Sequence, residues 1–201
     1  MDFDPADVRP AVFYQRMIHT IVPRPIAWVS TVSESGVTNV APFSYFTGVG
    51  SRPPTLLFCP ANNREGQPKD TLRNIQQTQD FVVNIVPFAL AKKMNASAAD
   101  LPSDESEFAA CDLTAIDSAK VKSPRVADSP VQFECTLRQV LNIGEGPGGA
   151  NIVLGNVVHM HIDDSVVGVN DLADPDLLDA AGRMGGLSYC RTSERFSLDR
   201  P

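Results

Sequence analysis

Short apolar runs separated by prolines, glycines and small polar residues are the feature that most constrains the fold of this chain. Segments 25–32, 54–60, 80–86 and 131–137 are rich in β-branched and aromatic residues and are short enough to be strands. Segment 151–163 alternates apolar with polar or small side chains over much of its length, which is typical of a half-buried strand. Many short strands and few helices predict a mainly β fold, a closed or partly closed antiparallel barrel.

Three of these segments carry a definite prediction of which faces are buried. Segment 54–60 is almost entirely apolar and lies between prolines, which indicates a strand buried on both faces. In segment 131–137, one face carries Val131, Phe133, Cys135 and Leu137, and the other carries Gln132, Glu134 and Thr136. In segment 151–163, His159, His161 and Asp163 fall on the face opposite the apolar one. A loop is expected over 144–150.

Three short helices are expected. One begins near Asp70, with Leu72 and Ile75 at the spacing of a buried face. A second covers 88–95. A third follows Asp174, with Pro175 at the first helical position and the Gly185-Gly186 pair as its stop signal.

Length and charge limit the classes of function. The 201 residues contain no linker or repeat, so one domain over 1–201 is expected. A net charge of −7 argues against a nucleic-acid or anionic membrane partner. No stretch is long and apolar enough to cross a membrane, and the acidic start does not resemble a signal peptide, so a cytoplasmic location is expected. The four cysteines and three histidines lack the paired spacing of a structural zinc site, so no metal is expected and the thiols should be reduced.

The stretch 66–75, GQPKDTLRNI, combines a predicted helix start with a cation, a carboxylate and a hydroxyl at Lys69, Asp70 and Thr71. The amide groups of a first helical turn have no partner within the helix, so the protein or another molecule must satisfy them. A capped surface helix with a solvated lysine is one interpretation, and a ligand site is the other.

Seven segments in order resemble the flavin reductase-like, FMN-binding split-barrel family, which includes flavoredoxin-type proteins. They extend over almost the whole chain and comprise 22–31, 38–46, 69–75, 81–86, 92–98, 155–164 and 183–201. The resemblance implies a Greek-key split β-barrel with a few short peripheral helices. It also implies FMN as cofactor, bound near the subunit interface of a homodimer.

With FMN as the implied ligand, the start of the helix near Asp70 becomes a candidate phosphate site. Free amide groups and the positive end of the helix dipole favour an anion. Lys69 would supply a charge and Thr71 a hydroxyl donor, and Ser44 and Arg24 would join them at the phosphate. Asp70 is a poor neighbour for a phosphate, so it is expected to be the N-cap or to hold Lys69 or a backbone amide.

The flavin ring and its ribityl chain are expected beside the two strands that precede this helix. The candidate contacts are Trp28, Val29, Ser30, Thr31, Asn39, Ala41, Pro42 and Phe43. Pro42 has no ladder N–H and should break its strand or lie at a sheet edge. Ordinary strand and turn chemistry is the alternative for the hydroxyl residues, and Trp28 is either a core residue or a wall of the flavin pocket.

Further candidates lie nearer the C-terminus. Arg183, Gly186 and Tyr189 are expected on the substrate side, because the family folds this segment back towards the flavin. Residues 94–97 either line the site or end a helix. His159 and His161 lack a third metal ligand, so a polar or interface-facing strand surface is favoured over a metal site.

The leading function is an FMN-dependent oxidoreductase that accepts electrons from NADH, NADPH or another donor and passes them to a flavin or protein acceptor. No GxGxxG element follows a strand, so any nicotinamide nucleotide should bind transiently over the flavin. The flavin itself performs the redox chemistry, so no catalytic acid or base is assigned. The alternatives are an electron-carrier flavoprotein, a non-catalytic FMN-binding protein and a β-barrel interaction module without a cofactor.

Overall fold

The computed structural model describes residues 1–199, and its core is one antiparallel sheet of seven strands. The strands follow the order β2-β1-β5-β8-β9-β4-β3 across the sheet. Their bounds are β1 Ala27–Val32, β2 Thr38–Phe43, β3 Phe46–Ser51, β4 Pro54–Phe58, β5 Asp80–Ile85, β8 Val131–Asn142 and β9 Asn151–Ile162. Two short ribbons pair β6 Ala115–Ile116 with β7 Arg125–Val126, and β10 Ala181–Arg183 with β11 Tyr189–Arg191.

The helices are short and lie around this sheet. They are α1 Pro10–Thr20, α2 Asp70–Thr78, α3 Ala91–Ala96, α4 Glu107–Ala110 and α5 Pro175–Leu178, with single 3-10 turns at Pro5–Asp7, Phe88–Leu90, Asp164–Val166 and Val169–Asp171. The predicted fold class, a mainly β split barrel with a few short helices, is confirmed. Within residues 1–199, no helix has both the length and the apolarity needed to span a membrane.

The first hydrophobic core fills the inside of the curved sheet. Phe58 packs between Phe43 and Phe81, with ring centroids 5.0 and 5.4 Å apart. Gly155 on β9 makes room for this stack, since a Cβ atom there would lie 2.4 Å from the Phe81 ring. Leu72 of α2 is buried in the same core, as the spacing of the helix predicted.

A second core lies on the other face of β1 and β5. Trp28, Val86 and Val126 pack there against Met94 of α3 and Phe108 of α4. Both faces of β1 and β5 are covered, and four of the six residues in each strand are apolar.

The burial of the other strands differs in part from prediction. In β4 only Leu56 and Phe58 are buried, so the prediction of a strand covered on both faces was wrong. The strand alternates because only one of its faces packs on the barrel core. In β8 the polar face is covered too, and Gln132 and Glu134 are both buried.

Three helices differ from the predicted helix content, and α4 is one of the two that were not predicted. Helix α1 was not predicted, and none of its residues is buried, which explains why its sequence carries little apolar periodicity. Helix α5 begins at Pro175 as expected but ends at Leu178, because Asp179 adopts a left-handed backbone conformation. The Gly185-Gly186 pair lies instead in the turn between β10 and β11.

Candidate functional site

A cleft of about 310 Å³ opens between the start of α2, the edge strand β2 and the segment after α3. This volume lies at the lower end of the range for small-molecule sites. Its walls carry both charged and apolar groups, and the residues that line it are Asn39, Ala41, Pro42, Phe43, Asn63, Arg64, Glu65, Pro68, Lys69, Asp70, Thr71, Arg73, Ser97, Ala98, Ala99, Asp100, Leu101 and Glu107. Seven of the predicted cofactor-binding residues are therefore brought together with others that were not predicted.

The N-terminus of α2 faces this cleft. Lys69 occupies the N-cap position with extended backbone, and its side chain makes no capping hydrogen bond. The first amide groups of the helix consequently remain available as donors beside the positive end of the helix dipole. This arrangement can hold an anion without any rearrangement of the backbone.

Asp70 is not the helix cap, so that prediction was wrong. It is the first helical residue, and its carboxylate accepts a hydrogen bond from Arg73 one turn later. A carboxylate at this position still complements the helix dipole. Because the Asp70 carboxylate is paired with Arg73, it lies along the helix surface and not over the free amide groups of the first turn.

Among residues 1–199, the one salt-bridge partner of Lys69 is Asp100, and the contact is weak. Its Nζ lies 3.5 Å from an Asp100 carboxylate oxygen, and the Asp100 side chain is 77% exposed. A solvent-exposed pair of this kind contributes little to stability. The ammonium group can therefore turn to a bound anion at little cost.

Paired polar side chains fix α2 against the sheet. Asn39 of β2 donates to the Thr71 hydroxyl at 3.1 Å, and Asn74 donates to the Thr31 hydroxyl at 3.1 Å. All four residues are buried. Because Thr71 accepts from Asn39, its own hydroxyl proton stays free for another partner, whereas Thr31 lies beneath the helix, outside the cleft lining.

The remaining β1 candidates are also buried away from the cleft. Trp28 is fully buried in the second core, and its Nε1 donates to Ser97 Oγ at 2.9 Å. Ser97 lines the cleft, so Trp28 supports one wall without forming it. Val29 packs inside the barrel, and Ser30 donates to the Pro124 carbonyl at 2.5 Å.

Arg24 and Ser44 do not join Lys69, which corrects the predicted phosphate cluster. The buried guanidinium of Arg24 donates to the carbonyls of Ile18 and Ile21 at 2.7 and 2.6 Å, and to the Met184 carbonyl at 3.0 Å. Its Nε donates to Ser44 Oγ at 3.3 Å. Arg24 thus secures the end of α1 to the C-terminal hairpin, and its donors are occupied by the protein.

Edge strand β2 forms another wall of the cleft. Ala41, Pro42 and Phe43 line it, and Pro42 lies at the sheet edge, where its missing N–H breaks no ladder bond. The Val40 N–H points away from β1 and donates to the Glu107 carboxylate at 3.2 Å.

Glu107 is a cleft residue that the sequence did not reveal. It begins α4, it is buried, and burial raises the pKa of its carboxyl group despite the backbone hydrogen bonds that the group accepts. In sequence it follows Asp104 and Glu105 in a polar, acidic run that resembles a solvated surface segment. The apolar residue after it, Phe108, was the one indication that α4 packs inward.

The C-terminal candidates form a cluster of their own beside the cleft. The Arg183 guanidinium lies 4.5 Å from the Tyr189 ring centroid and donates to the Gly186 carbonyl at 2.5 Å. Tyr189 donates to Asn95 Oδ1 at 2.9 Å. Asn95 is two residues before Ser97, so the cluster contacts the segment that lines the cleft, although none of its three predicted residues lines the cleft itself.

His161 of β9 belongs to a partly buried hydrogen-bonded group around the Glu134 carboxylate of β8. Its Nε2 lies 2.6 Å from Glu134 Oε1, and the amides of Ala119 and Lys120 donate to the same carboxylate at 2.7 and 2.6 Å. Burial alone would raise the pKa of Glu134, but these hydrogen bonds outweigh it and hold the pKa below its usual value. Among residues 1–199, no three histidine, cysteine or carboxylate side chains come together as a metal site.

Fold and site together define a split-barrel protein with a cleft at the uncapped N-terminus of α2. A sequence profile of the family described as flavin reductase like domain matches residues 18–188. The chain belongs to this flavin reductase-like family of oxidoreductases.

Several relatives match over nearly their full length. YwrF of Bacillus subtilis, an uncharacterised protein, is 37% identical over 191 residues, which are 94% of this chain and 93% of that one. Nitrilotriacetate monooxygenase component B from Bacillus cereus is 30% identical, with a TM-score of 0.93 and 98% of each chain covered. The 2-nitrobenzoate 2-nitroreductase of Pseudomonas fluorescens is 29% identical, with a TM-score of 0.90 and coverage of 100% of this chain and 96% of that one.

Proposed function

We propose that this protein is an FMN-dependent oxidoreductase that accepts electrons from NADH, NADPH or another small donor and delivers them to a flavin or protein acceptor. The observation that carries the proposal is the open N-terminus of α2 in the cleft, with Lys69 beside free amide donors. Membership of the flavin reductase-like family supports a flavin as the ligand. The phosphate site argues for FMN in particular.

The residues present fit FMN. Lys69, the first α2 amides and the free Thr71 hydroxyl proton would hold the phosphate, while Ala41, Pro42 and Phe43 would contact the flavin along the edge of β2. FMN, when bound, supplies the two-electron chemistry. The protein would bind and orient the flavin, and the wall made by Ser97 would exclude water from one side.

The relatives support a reductase but do not name its partners. One similar structure is a monooxygenase component and another is a nitroreductase, so the acceptor differs even among similar proteins. For this chain we propose a nicotinamide nucleotide that approaches from the side of the Arg183–Tyr189 cluster. Arg183 is the cation there that would meet its phosphates.

The FMN site is tested by titrating FMN into wild-type protein and the Lys69→Ala variant in a calorimeter. Loss of one charge-assisted contact should weaken binding by on the order of 1.5–3 kcal/mol. Lys92→Ala is the matched control, because Lys92 is an exposed lysine outside the cleft lining. Equal affinities of wild type and Lys69→Ala would contradict the phosphate assignment.

The reductase activity is tested by mixing FMN-loaded protein anaerobically with NADH or NADPH and following the flavin absorbance. We expect saturable bleaching by at least one nucleotide, and slower bleaching in Arg183→Ala. If dithionite bleaches the flavin while neither nucleotide does, the protein is an electron carrier and the reductase proposal fails.

We further propose that the whole chain, 1–201, is one domain that works as a cytoplasmic homodimer. The family match over 18–188 supports a single domain, and four free thiols suit a reducing compartment. Val158 and Met160 of β9 and Phe88 expose 41 to 45% of their apolar surface, which a second copy would cover. Light scattering should give twice 21.7 kDa, and a monomer mass at micromolar concentration would overturn the dimer.

A further inference from the structure

We propose that Glu107 couples flavin binding in the cleft to the uptake of a proton. The inference rests on the function proposed above, because it requires that an anionic flavin enters this cleft.

The position of Glu107 sets it apart from the other carboxylates around the cleft. It is only 7% exposed, yet it lines the cleft at the beginning of α4. Its carboxylate accepts the N–H of Val40, 3.2 Å away, and the N–H of its own backbone. The Val40 N–H at the outer edge of β2 thereby has an acceptor. Both donors are neutral amides, so neither balances the negative charge of the Glu107 carboxylate.

The charged and titratable groups around Glu107 come from several elements. They are Lys69, Asp70 and Arg73 of α2, Arg64 and Glu65 before it, Asp100 after α3, and the Cys111 thiol at the end of α4. Asp70 opposes ionisation of Glu107 and Lys69 favours it. Asp70 is paired with Arg73, and Lys69 is near Asp100, so these two cations already have carboxylate partners.

A flavin phosphate changes this balance by adding negative charge to a cleft that already contains a buried carboxylate. Lys69 would turn to the phosphate, and Glu107 would lose its one favourable neighbour. The carboxylate then takes a proton from solvent, and a neutral carboxyl group results. One oxygen still accepts from Val40, so β2 keeps its position, while the new O–H becomes a donor towards the cleft.

The test is calorimetric titration of FMN in buffers that differ in ionisation enthalpy, which counts the protons bound with the flavin. Wild type is compared with Glu107→Gln, which imitates the protonated side chain and cannot titrate. We expect Glu107→Gln to take up fewer protons than wild type and to bind FMN about fivefold more tightly at pH 8, a coupling at the low end of the usual range. Glu105→Gln, which removes the same charge from an exposed position outside the cleft lining, should match wild type in both respects.

Equal proton uptake by wild type and Glu107→Gln would overturn the proposal, and so would weaker FMN binding by Glu107→Gln. Failure of the wild type itself to bind FMN would be a different result, since it would reject the proposed function. A measurement that needs no variant is the carboxyl ¹³C titration of Glu107 in wild-type protein. Its midpoint should move to higher pH when FMN is added, and an unchanged or lower midpoint would contradict the coupling.

Discussion

Two buried glutamates, Glu107 at the cleft and Glu134 on β8, have different hydrogen-bond partners and pKa values shifted in opposite directions. Glu134 accepts hydrogen bonds from two backbone amides and from His161, and its pKa is held below the usual value. Glu107 accepts only backbone amides, faces the cleft, and has a pKa raised by burial. Both are buried, so the difference lies in the partners that surround them.

Glu134 has a structural role, whereas Glu107 faces the open cleft. Glu134 connects the loop at Ala119 and Lys120 to strands β8 and β9, and both of its carboxylate oxygens accept hydrogen bonds. The Glu107 carboxylate accepts from the Val40 N–H at the edge of β2 and from its own backbone N–H, but neither bond brings a cation to its charge. A buried carboxylate with a raised pKa, lining a cleft beside an open helix N-terminus, is the kind of group that clusters at functional sites.

The largest loss of stability is expected when Glu134, the structural one of the two glutamates, is replaced. Glu134→Ala removes the acceptor of three hydrogen bonds, from the amides of Ala119 and Lys120 and from His161, so we expect the free energy of unfolding to fall by about 3–5 kcal/mol. Glu107→Ala leaves the Val40 amide unpaired and should cost about 1–3 kcal/mol. Urea unfolding of both variants checks the order, and a greater loss in Glu107→Ala would reverse the comparison.

The two glutamates should also give opposite pH dependence to stability. The native pKa of Glu134 is lowered, so its contribution is complete above the unfolded pKa of about 4.3 and disappears as the pH falls through the native value. The native pKa of Glu107 is raised, so its effect runs the other way, and stability declines as the pH rises from about 4.3 through the native value.

Urea unfolding between pH 3 and pH 7, compared with wild type, resolves the two contributions. Glu134→Gln should lose less stability than wild type on acidification, and Glu107→Gln should lose less stability than wild type as the pH rises. If the slope of the free energy of unfolding against pH changes in the same direction in both variants, the two carboxylates do not have pKa values shifted in opposite directions.

The smallest effect is expected at Asp70. Its surface ion pair with Arg73, one turn apart, is worth about 0.2–0.5 kcal/mol. Asp70→Ala should therefore shift the thermal midpoint only slightly. A loss of about 1 kcal/mol or more would instead indicate a capping role, which the hydrogen bonds of α2 do not show.

Much of the fold could be predicted because local patterns and burial agree in it. The apolar runs of β1 and β5 correspond to strands with both faces covered, and Leu72 and Ile75 correspond to the buried face of α2. Helix α1 escaped prediction because it buries no residue. It is held through Arg24, whose partners are backbone carbonyls that no sequence pattern records.

The candidate site was predictable only where chemistry and position coincide. Lys69 and Thr71 lie at a helix start, and the structure places both in the cleft. The hydroxyls of Ser30 and Thr31 have the right chemistry, but the alternation of β1 and the position of α2 bury them. Glu107 reaches the cleft through a long-range contact with Val40, 67 residues away, which the sequence does not encode locally.

The central claim is that the N-terminus of α2 with Lys69 recognises a flavin through its phosphate, and the most direct test compares the Kd of FMN with that of riboflavin for wild-type protein. The ligands differ only by the phosphate, and one charge-assisted hydrogen bond is worth about 1.5–3 kcal/mol, so FMN should bind at least about tenfold more tightly. Lys69→Ala should reduce this preference by weakening FMN alone. Equal affinities of the wild-type protein for FMN and riboflavin would contradict the account.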